Sequence, residues 1–178
     1  MTNLFIIIQA RITSTRLPAK VMLPLCNKTV LEVMIDRLKS YKSNIIIATT
    51  NDGSQKPIVE LCKKLGLKYY EGDTNNVLSR FYEASVKFNV KDEDIIVRLT
   101  SDCPLVDFDI TKQTIDYFIK KDVDYVGSGP HSGYPRGLDT AVFRFKLLKY
   151  MYENATDDYE KEHVTPYMAK MNLEVLSY

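Results

Sequence analysis

The chain has few of the residues that build metal clusters and disulfide frameworks. It contains 3 cysteines, Cys26, Cys62 and Cys103, and 2 histidines, and none of the cysteines forms a Cys-x-x-Cys spacing. An odd number of widely spaced cysteines disfavours both a disulfide framework and a zinc site. Reduced thiols are the simpler interpretation, and we expect a cytoplasmic protein.

The sequence also lacks an excess of charge of either sign and a long hydrophobic run. Its 24 Lys and Arg residues against 23 Asp and Glu residues leave a formal net charge of +1. Nucleic-acid binders usually show a marked basic excess. The longest apolar run is far too short to cross a bilayer, and no charged-then-apolar leader precedes it. We therefore expect no nucleic acid and no membrane among its partners.

An alternation of strands and helices runs through the chain without repeats, linkers or low-complexity segments. Residues 5–8, 44–50 and 94–100 are apolar runs of the kind found in strands buried on both faces of a parallel sheet. Thr29 followed by Glu32 is a capping-box pattern that opens the first amphipathic helix. The alternation predicts one α/β domain over residues 1–178, with a mainly parallel sheet and helices on both faces.

The last third of the chain is less regular. We expect a strand over residues 140–145, a helix around residues 146–154 and a closing strand over residues 173–178.

Polarity changes abruptly after the first strand. Cations and hydroxyls crowd one short loop, which contains Arg11, Thr13, Ser14, Thr15, Arg16 and Lys20. Such a loop at the carboxyl edge of a parallel sheet is suited to holding a polyanion. It is not a Walker A loop, because Gly-x-x-x-x-Gly-Lys is absent, and an ordinary solvated basic turn is the alternative interpretation.

A second candidate site follows the strand over residues 94–100. Asp102 would lie at the same edge of the sheet, where it can hold Mg²⁺, or it simply begins a turn that Pro104 completes. Cys103 is interpreted as a packing residue, since no histidine lies near it in sequence. Asp107 and Asp109 form an Asp-x-Asp, a weak metal motif of sugar-transferring enzymes, and we expect Asp109 to cap the next helix.

Two further groups of polar residues are candidates for ligand contacts. Thr49 and Thr50, at the end of the second buried strand, could read a nucleotide base or serve as turn material. A glycine-containing loop holds Arg136 and Asp139, which suit a polar, anionic sugar because a guanidinium pairs carboxylates or phosphates and a carboxylate accepts from hydroxyls. An ordinary surface loop is the alternative.

The basic loop resembles the opening signature of the spore-coat polysaccharide cytidylyltransferase family, relatives of the CMP-sialic acid, CMP-pseudaminic acid and CMP-KDO synthetases. That signature reads Gln-Ala-Arg and then Ser-x-Arg-Leu-Pro-x-Lys. It is matched in order and spacing by Gln9, Ala10, Arg11, Ser14, Arg16, Leu17, Pro18 and Lys20. The family's Asp-Cys-Pro-Leu recurs at Asp102, a similar Val-Leu-x-Arg-Phe contains Arg80, and the resemblance covers nearly all 178 residues.

The resemblance implies a three-layer sandwich of the nucleotide-diphospho-sugar transferase, Rossmann-like fold, with a mainly parallel mixed sheet. It implies an Mg²⁺-dependent nucleotidyltransferase that activates a sugar, expected to be acidic, with CTP. The products would be a CMP-sugar for surface polysaccharide or glycan biosynthesis and pyrophosphate. UTP or GTP as the donor, an Asp-x-Asp glycosyltransferase of similar fold and a non-catalytic nucleotide-binding subunit remain open, as does a homodimer.

The expected site residues fall into four roles. The catalytic cations are Arg11, Arg16 and Lys20, and the metal ligand is Asp102. The nucleotide contacts are Gln9, Ala10, Arg11, Ser14, Thr49, Thr50, Arg80 and Arg98. The sugar contacts are Arg136, Asp139, Glu162 and His163, although a single histidine is more often structural than catalytic. Arg80 falls on the polar side of its helix, where solvent exposure would be ordinary.

The chain departs from the family pattern at several positions. Thr13 and Ala19 stand where glycine is frequent, so we expect a loop that is stiffer or that holds the phosphates less closely. Ala141 stands where glutamate is common. The family continues into an Asp-Thr-x-x-Asp segment, expected to supply a second metal carboxylate, and a final helix. The chain is therefore expected to lack a C-terminal segment of the family.

Overall fold

The computed structural model describes residues 2–14, 16–129, 132–170 and 175–177, and for residues 169, 170 and 175–177 it describes the backbone alone. Thr15 of the basic loop, and Leu173, Glu174 and Tyr178 of the expected closing strand, lie outside the described residues.

The described residues form strands and helices in alternation. The strands are β1 Leu4–Gln9, β2 Pro24–Leu25, β3 Lys28–Thr29, β4 Ile45–Thr50, β5 Lys68–Gly72, β6 Ile95–Thr100, β7 Tyr125–Gly127, β8 Ala141–Arg144 and β9 Val175–Ser177. The α-helices are α1 Val30–Arg37, α2 Lys56–Leu65, α3 Val77–Lys87, α4 Phe108–Lys121, α5 Phe145–Asn154 and α6 Asp158–His163. Short 3-10 helices occupy Lys20–Met22, Lys39–Asn44 and Pro166–Lys170.

Seven of these strands form one mixed sheet in the order β5-β4-β1-β6-β8-β7-β9, and β2 and β3 form a separate hairpin. The pairs β4–β5, β1–β4, β1–β6 and β7–β9 are parallel. Strand β8 pairs antiparallel with both β6 and β7. The mainly parallel mixed sheet predicted from the alternation is therefore confirmed.

Two apolar layers cover the two faces of the sheet. Because successive side chains of a strand point to opposite faces, Ile6 and Ile8 pack in one layer and Ile7 packs in the other. The first layer contains buried residues of α1, α2 and α4, and the second contains those of α3 and α5. This arrangement confirms the three-layer sandwich and explains why β1 is a continuous apolar run.

Helix α1 begins with the predicted capping box. The backbone N–H of Glu32 donates to Thr29 Oγ1 at 3.1 Å, and the backbone N–H of Thr29 donates to Glu32 Oε2 at 2.8 Å. Both N–H groups would otherwise lack a partner in the first turn of the helix.

The predicted cap of α4 is wrong by two residues. Asp107, in an extended conformation, is the N-cap, and its Oδ1 accepts from the backbone N–H groups of Asp109 and Ile110 at 2.9 and 3.0 Å. Asp109 lies inside the first turn instead, where its negative charge faces the positive end of the helix dipole.

Among the described residues, no helix combines the length and the apolar composition needed to cross a membrane.

The capping box should contribute measurably to stability. We expect Thr29→Ala to lower the free energy of unfolding by about 1 kcal/mol, because the N–H of Glu32 loses its acceptor. Urea unfolding followed by circular dichroism measures the difference. Thr29→Ser keeps the hydroxyl and should stay close to the unaltered protein, and equal stability of the alanine and serine variants would contradict this role of the hydroxyl.

Candidate active site

A cavity of about 380 Å³ opens at the carboxyl ends of β1 and β6. The chain moves from β1 outward to β4 and β5, and then returns to β6 on the other side of β1. Such a reversal of strand order leaves a crevice at the carboxyl ends of the two strands, the usual place for a ligand in an open α/β sheet.

The cavity brings together eleven of the residues expected from the sequence. They are Gln9, Ala10, Arg11, Ser14, Arg16, Lys20, Arg80, Arg98, Asp102, Glu162 and His163. Five of these side chains are cationic and two are carboxylates, so the cavity is strongly electropositive. Convergent cations with adjacent hydroxyls and backbone form a surface that favours a polyanion.

The basic loop wraps back onto the end of β1. The backbone N–H of Ala19 donates to the carbonyl of Ile12 at 2.8 Å, and Lys20 begins the 3-10 helix that follows. Ala19 has φ 54°, in the left-handed region that glycine enters without strain. Alanine at this turn has less conformational freedom than glycine would have.

Lys20 and Asp102 join the two motifs found in the sequence. Lys20 Nζ donates to Asp102 Oδ2 at 2.6 Å, across 82 positions of the chain. Burial raises the pKa of the Asp102 carboxyl, but the hydrogen bond and the charge of Lys20 outweigh it, so that pKa lies below its ordinary value. Asp102 is therefore ionised at neutral pH, with 44% of its side-chain surface still exposed.

Arg80 lies in a place that its position on the helix does not suggest. The sequence pattern indicated an exposed side chain, but the residue is 1% exposed and lines the cavity. Gly72 at the end of β5 leaves room for it, because a Cβ there would lie 3.0 Å from Arg80 Cγ. Arg80 Nη1 donates to the carbonyl of Thr74 at 3.5 Å, while the buried Nε has no hydrogen-bond partner among the described residues.

Arg80 also faces a second cation. Burial and, less strongly, the nearby charge of Arg11 together lower the pKa of Arg80 to about 10, against smaller opposing effects of Asp73 and Asp52. Arg11 Nη2 lies 3.8 Å from Glu162 Oε1, which offsets part of this repulsion. An anion bound between the two guanidinium groups would relieve both the desolvation and the repulsion.

Arg98 comes from the middle of β6. Its Nη2 donates to Gln9 Oε1 at 3.3 Å, so a residue of β1 orients the guanidinium. Its Nε is buried and has no hydrogen-bond partner among the described residues. Burial lowers the pKa of Arg98 below its ordinary value.

Helix α6 closes the cavity on the side of α3. Asp157 caps this helix by accepting from the backbone N–H of Tyr159 at 2.7 Å. Glu162 and His163, at its other end, are exposed and line the cavity. The imidazole of His163 packs edge-on to the ring of Tyr159, with 4.4 Å between the ring centroids.

Four of the expected residues do not line this cavity. Thr49 and Thr50 are fully buried at the end of β4, and Thr50 Oγ1 donates to Asp52 Oδ1 at 3.2 Å. Arg136 is exposed in the loop that precedes β8. Asp139 lines a smaller cavity next to the first, which it shares with Arg98.

The Asp-x-Asp pair also lies away from the cavity. Asp107 Oδ1 caps α4, and its Oδ2 accepts from Arg37 Nη2 at 3.5 Å. A carboxylate already used in a cap and an ion pair is poorly suited to hold a metal for sugar transfer.

Sequence reasoning missed five residues that line the cavity, namely Val21, Val77, Thr100, Ser101 and Cys103. Thr100 and Ser101 end β6, so the argument applied to Thr49 and Thr50 would have found them. Thr100 Oγ1 lies 3.3 Å from Cys103 Sγ, and burial raises the pKa of the Cys103 thiol. A thiol with a raised pKa is a poor nucleophile, which agrees with the packing role expected for Cys103.

The donors present fit a magnesium ion that is shared with a substrate. Among the described residues, no group of three or more His, Cys, Asp or Glu residues could hold a metal ion by itself. Magnesium commonly uses one or two carboxylates, with phosphate oxygens and water as its other ligands. The ionised and partly exposed Asp102 can supply such a carboxylate.

The Lys20–Asp102 pair gives a titration with a defined sign. In Lys20→Met we expect the pKa of Asp102 to rise, because the hydrogen bond and the charge of Lys20 no longer oppose the effect of burial. A pH titration of the aspartate Cγ resonances by NMR measures it. Lys28→Met, which removes an exposed ion pair with Asp36, should leave the pKa of Asp102 unchanged.

The same pair has a consequence for stability. A carboxyl with a lowered folded-state pKa stabilises the protein above its unfolded pKa of about 3.9, and this contribution is lost as the pH falls through the folded-state pKa.

An Asp102 pKa that stays low in Lys20→Met would show that another group lowers the pKa of Asp102.

Comparisons with known proteins identify the family of the chain. A family model described as Cytidylyltransferase matches residues 5–178. An uncharacterized protein of Methanocaldococcus jannaschii is 40% identical over 164 residues, which cover 91% of this chain and 65% of that protein. The spore coat polysaccharide biosynthesis protein SpsF of Bacillus subtilis is 30% identical over 175 residues, which cover 94% of this chain and 70% of SpsF.

Two further matches extend the comparison. A 3-deoxy-manno-octulosonate cytidylyltransferase of Francisella tularensis is 32% identical over 123 residues, which cover 68% of this chain and 48% of that enzyme. The solved structure of a cytidylyltransferase from Leptospira borgpetersenii superposes with a TM-score of 0.93 at 32% identity, covering 100% of this chain and 76% of the other. The family match extends over nearly the whole sequence, and the chain therefore belongs to the cytidylyltransferase family.

Proposed function

We propose that this protein is a nucleotidyltransferase that transfers CMP from CTP to an acidic sugar and releases pyrophosphate. The observation that carries the proposal is the cavity at the ends of β1 and β6, where five cationic side chains meet two carboxylates. A nucleoside triphosphate is the polyanion that members of a cytidylyltransferase family would bring to it. The acidic sugar is suggested by the relative named for 3-deoxy-manno-octulosonate, which is itself a sugar carboxylate.

The reaction would be an in-line displacement at the α-phosphorus. The acceptor oxygen forms the new P–O bond as the bond to pyrophosphate breaks, the bonding electrons leave with pyrophosphate, and the hydroxyl proton is released. Transfers of this kind require mainly positioning and neutralisation of charge. Arg11, Arg16 and Lys20 would neutralise the triphosphate and the leaving group.

Several residues would have supporting roles. Arg80 would contact the nucleotide from α3, and Asp102 would hold Mg²⁺ together with phosphate oxygens and water. When bound, the ion would neutralise part of the charge on those oxygens. Asp139, Glu162 and His163 would orient the sugar, with Arg136 reaching it from the loop before β8.

Nucleotide binding should stabilise the fold. With Mg²⁺ present, CTP at about a hundred times its dissociation constant should stabilise the fold by roughly 2.7 kcal/mol. For a chain of this size, that is a rise of several degrees in melting temperature. Differential scanning fluorimetry with CTP, UTP, GTP and ATP, with and without EDTA, measures it.

Each result of that experiment has a distinct meaning. A rise with CTP that EDTA abolishes supports a metal-dependent cytidylyltransferase, whereas a rise with UTP or GTP alone would keep the mechanism and change the donor. A chain that binds CTP but releases no pyrophosphate with any acidic sugar would be a nucleotide-binding subunit. No rise with any of the four nucleotides would contradict the proposal.

Turnover should depend on Lys20 and Asp102. Lys20→Ala and Asp102→Ala should each lower kcat by about a hundredfold or more while the protein remains folded, since each loses charge stabilisation of the transferring group. A coupled assay of pyrophosphate release gives the rates. Lys28→Ala, which breaks an ion pair outside the cavity, is the matched control and should retain normal turnover. Near-normal rates in both cavity variants would show that these roles are assigned wrongly.

A further inference from the structure

A second, smaller cavity of about 180 Å³ lies beside the main one. Arg98 and Thr100 line both cavities, so the two spaces adjoin at the end of β6. The smaller one is also lined by Tyr125, Asp139 and Ala141, which come from β7, the loop before β8 and β8. It therefore lies on the β8 side of the place where the nucleotide would bind.

The register of the sheet places a guanidinium opposite a methyl group. In the antiparallel β6–β8 pair, Arg98 lies directly across from Ala141, and Ile96 lies across from Phe143. Residues directly opposite each other share one face of the sheet, with Cβ atoms roughly 5 Å apart. Arg98 thus occupies a face whose other members belong to the apolar core, and Ala141 leaves the space next to it open.

The charge of Arg98 is incompletely paired. Its Nη2 donates to the neutral amide oxygen of Gln9, and its buried Nε has no hydrogen-bond partner among the described residues. The carboxylates of Asp102 and Asp139 act on it, but Asp102 is hydrogen-bonded to Lys20, and Asp139 Oδ2 accepts from the backbone N–H of Gly137 at 2.8 Å. A buried cation with an unpartnered donor is costly unless an anion pairs with it.

Tyr125 supplies a second donor to the same cavity. Its ring lies along the strand over Gly127, where a Cβ would stand 2.6 Å from the hydroxyl oxygen. Glycine is therefore required for this close approach, and Tyr125 lines the smaller cavity. Burial raises the pKa of the Tyr125 phenol, and the positive charge of Arg98 offsets only part of this rise. The phenol therefore remains protonated and able to donate.

We infer that Arg98 is a specificity-determining residue that binds the carboxylate of the acceptor sugar in this smaller cavity. Tyr125 donates a second hydrogen bond to the same carboxylate, and Asp139 accepts from a neighbouring sugar hydroxyl. The small side chain of Ala141 keeps the guanidinium available. This moves Arg98 from the nucleotide contacts expected from the sequence to the acceptor sugar, and it assigns recognition of the anion to Arg98 rather than to the exposed Arg136. The inference rests on the proposed sugar transfer.

The direct test measures binding without turnover. The Nε–H resonance of Arg98, assigned with Arg98→Lys, is followed by NMR while 3-deoxy-manno-octulosonate, N-acetylneuraminate or gluconate is added to the protein in the absence of CTP. We expect at least one of these acids to shift the resonance in a saturable way, and glucose to leave it unchanged.

A matched pair of variants identifies the role of charge. Ala141→Glu places an internal carboxylate across from Arg98 and should abolish the shift, whereas Ala141→Gln, which fills the same space with a neutral group, should weaken it less. With an acid that supports pyrophosphate release, Ala141→Glu should raise the KM for the sugar roughly ten- to hundredfold, while the KM for CTP changes little. Equal effects of the glutamate and glutamine variants would overturn the inference.

The test separates this inference from the proposed function. If CTP raises the melting temperature but no acid shifts the Arg98 resonance, Arg98 does not bind the sugar carboxylate, and the nucleotide site still stands. If an acid shifts the resonance but CTP does not bind, the anion site exists without the proposed transfer. A shift that persists in Ala141→Glu would place the anion elsewhere.

Discussion

The site holds more positive than negative charge at one edge of the sheet, and this excess dominates its energetics. Arg80 and Arg98 each keep a buried Nε without a hydrogen-bond partner among the described residues, and Arg11 adds a like charge near Arg80. Charge held in a weakly polar surrounding is costly unless it is paired. Folding buries these cations at a cost in free energy, and an anion bound in the cavity would offset that cost. That imbalance favours highly charged anions as ligands of the proposed site.

The topology makes this concentration of charge achievable from distant parts of the chain. Parallel pairing aligns Gln9 of β1 with Thr100 of β6, so the loops that follow the two strands start from the same level. Because the two loops start side by side, Lys20 of the first loop can donate to Asp102 of the second. Both strands are held by apolar layers on each face, which gives the loops a rigid base.

The parts predictable from sequence were those encoded locally. The capping box at Thr29 and the buried strands follow from patterns within a few residues, and the basic loop was recognisable from its order and spacing. Arg80 was misplaced because helical periodicity takes no account of Gly72, eight positions earlier, which makes room for the side chain. The pairing of Arg98 with Ala141 depends on the register of an antiparallel strand far along the chain, which no local pattern reveals.

The position of β8 has a consequence for the order in which the molecule assembles. Strand β8 lies between β6 and β7 in the sheet although it follows both in sequence. A growing chain can therefore pair β1, β4, β5 and β6 early, whereas β7 must wait for a strand made after it. The β1–β6 side of the site, where the phosphates are proposed to bind, therefore forms before the β8 side proposed for the sugar. On that proposal, nascent chains would bind nucleotide before they could discriminate among acceptors.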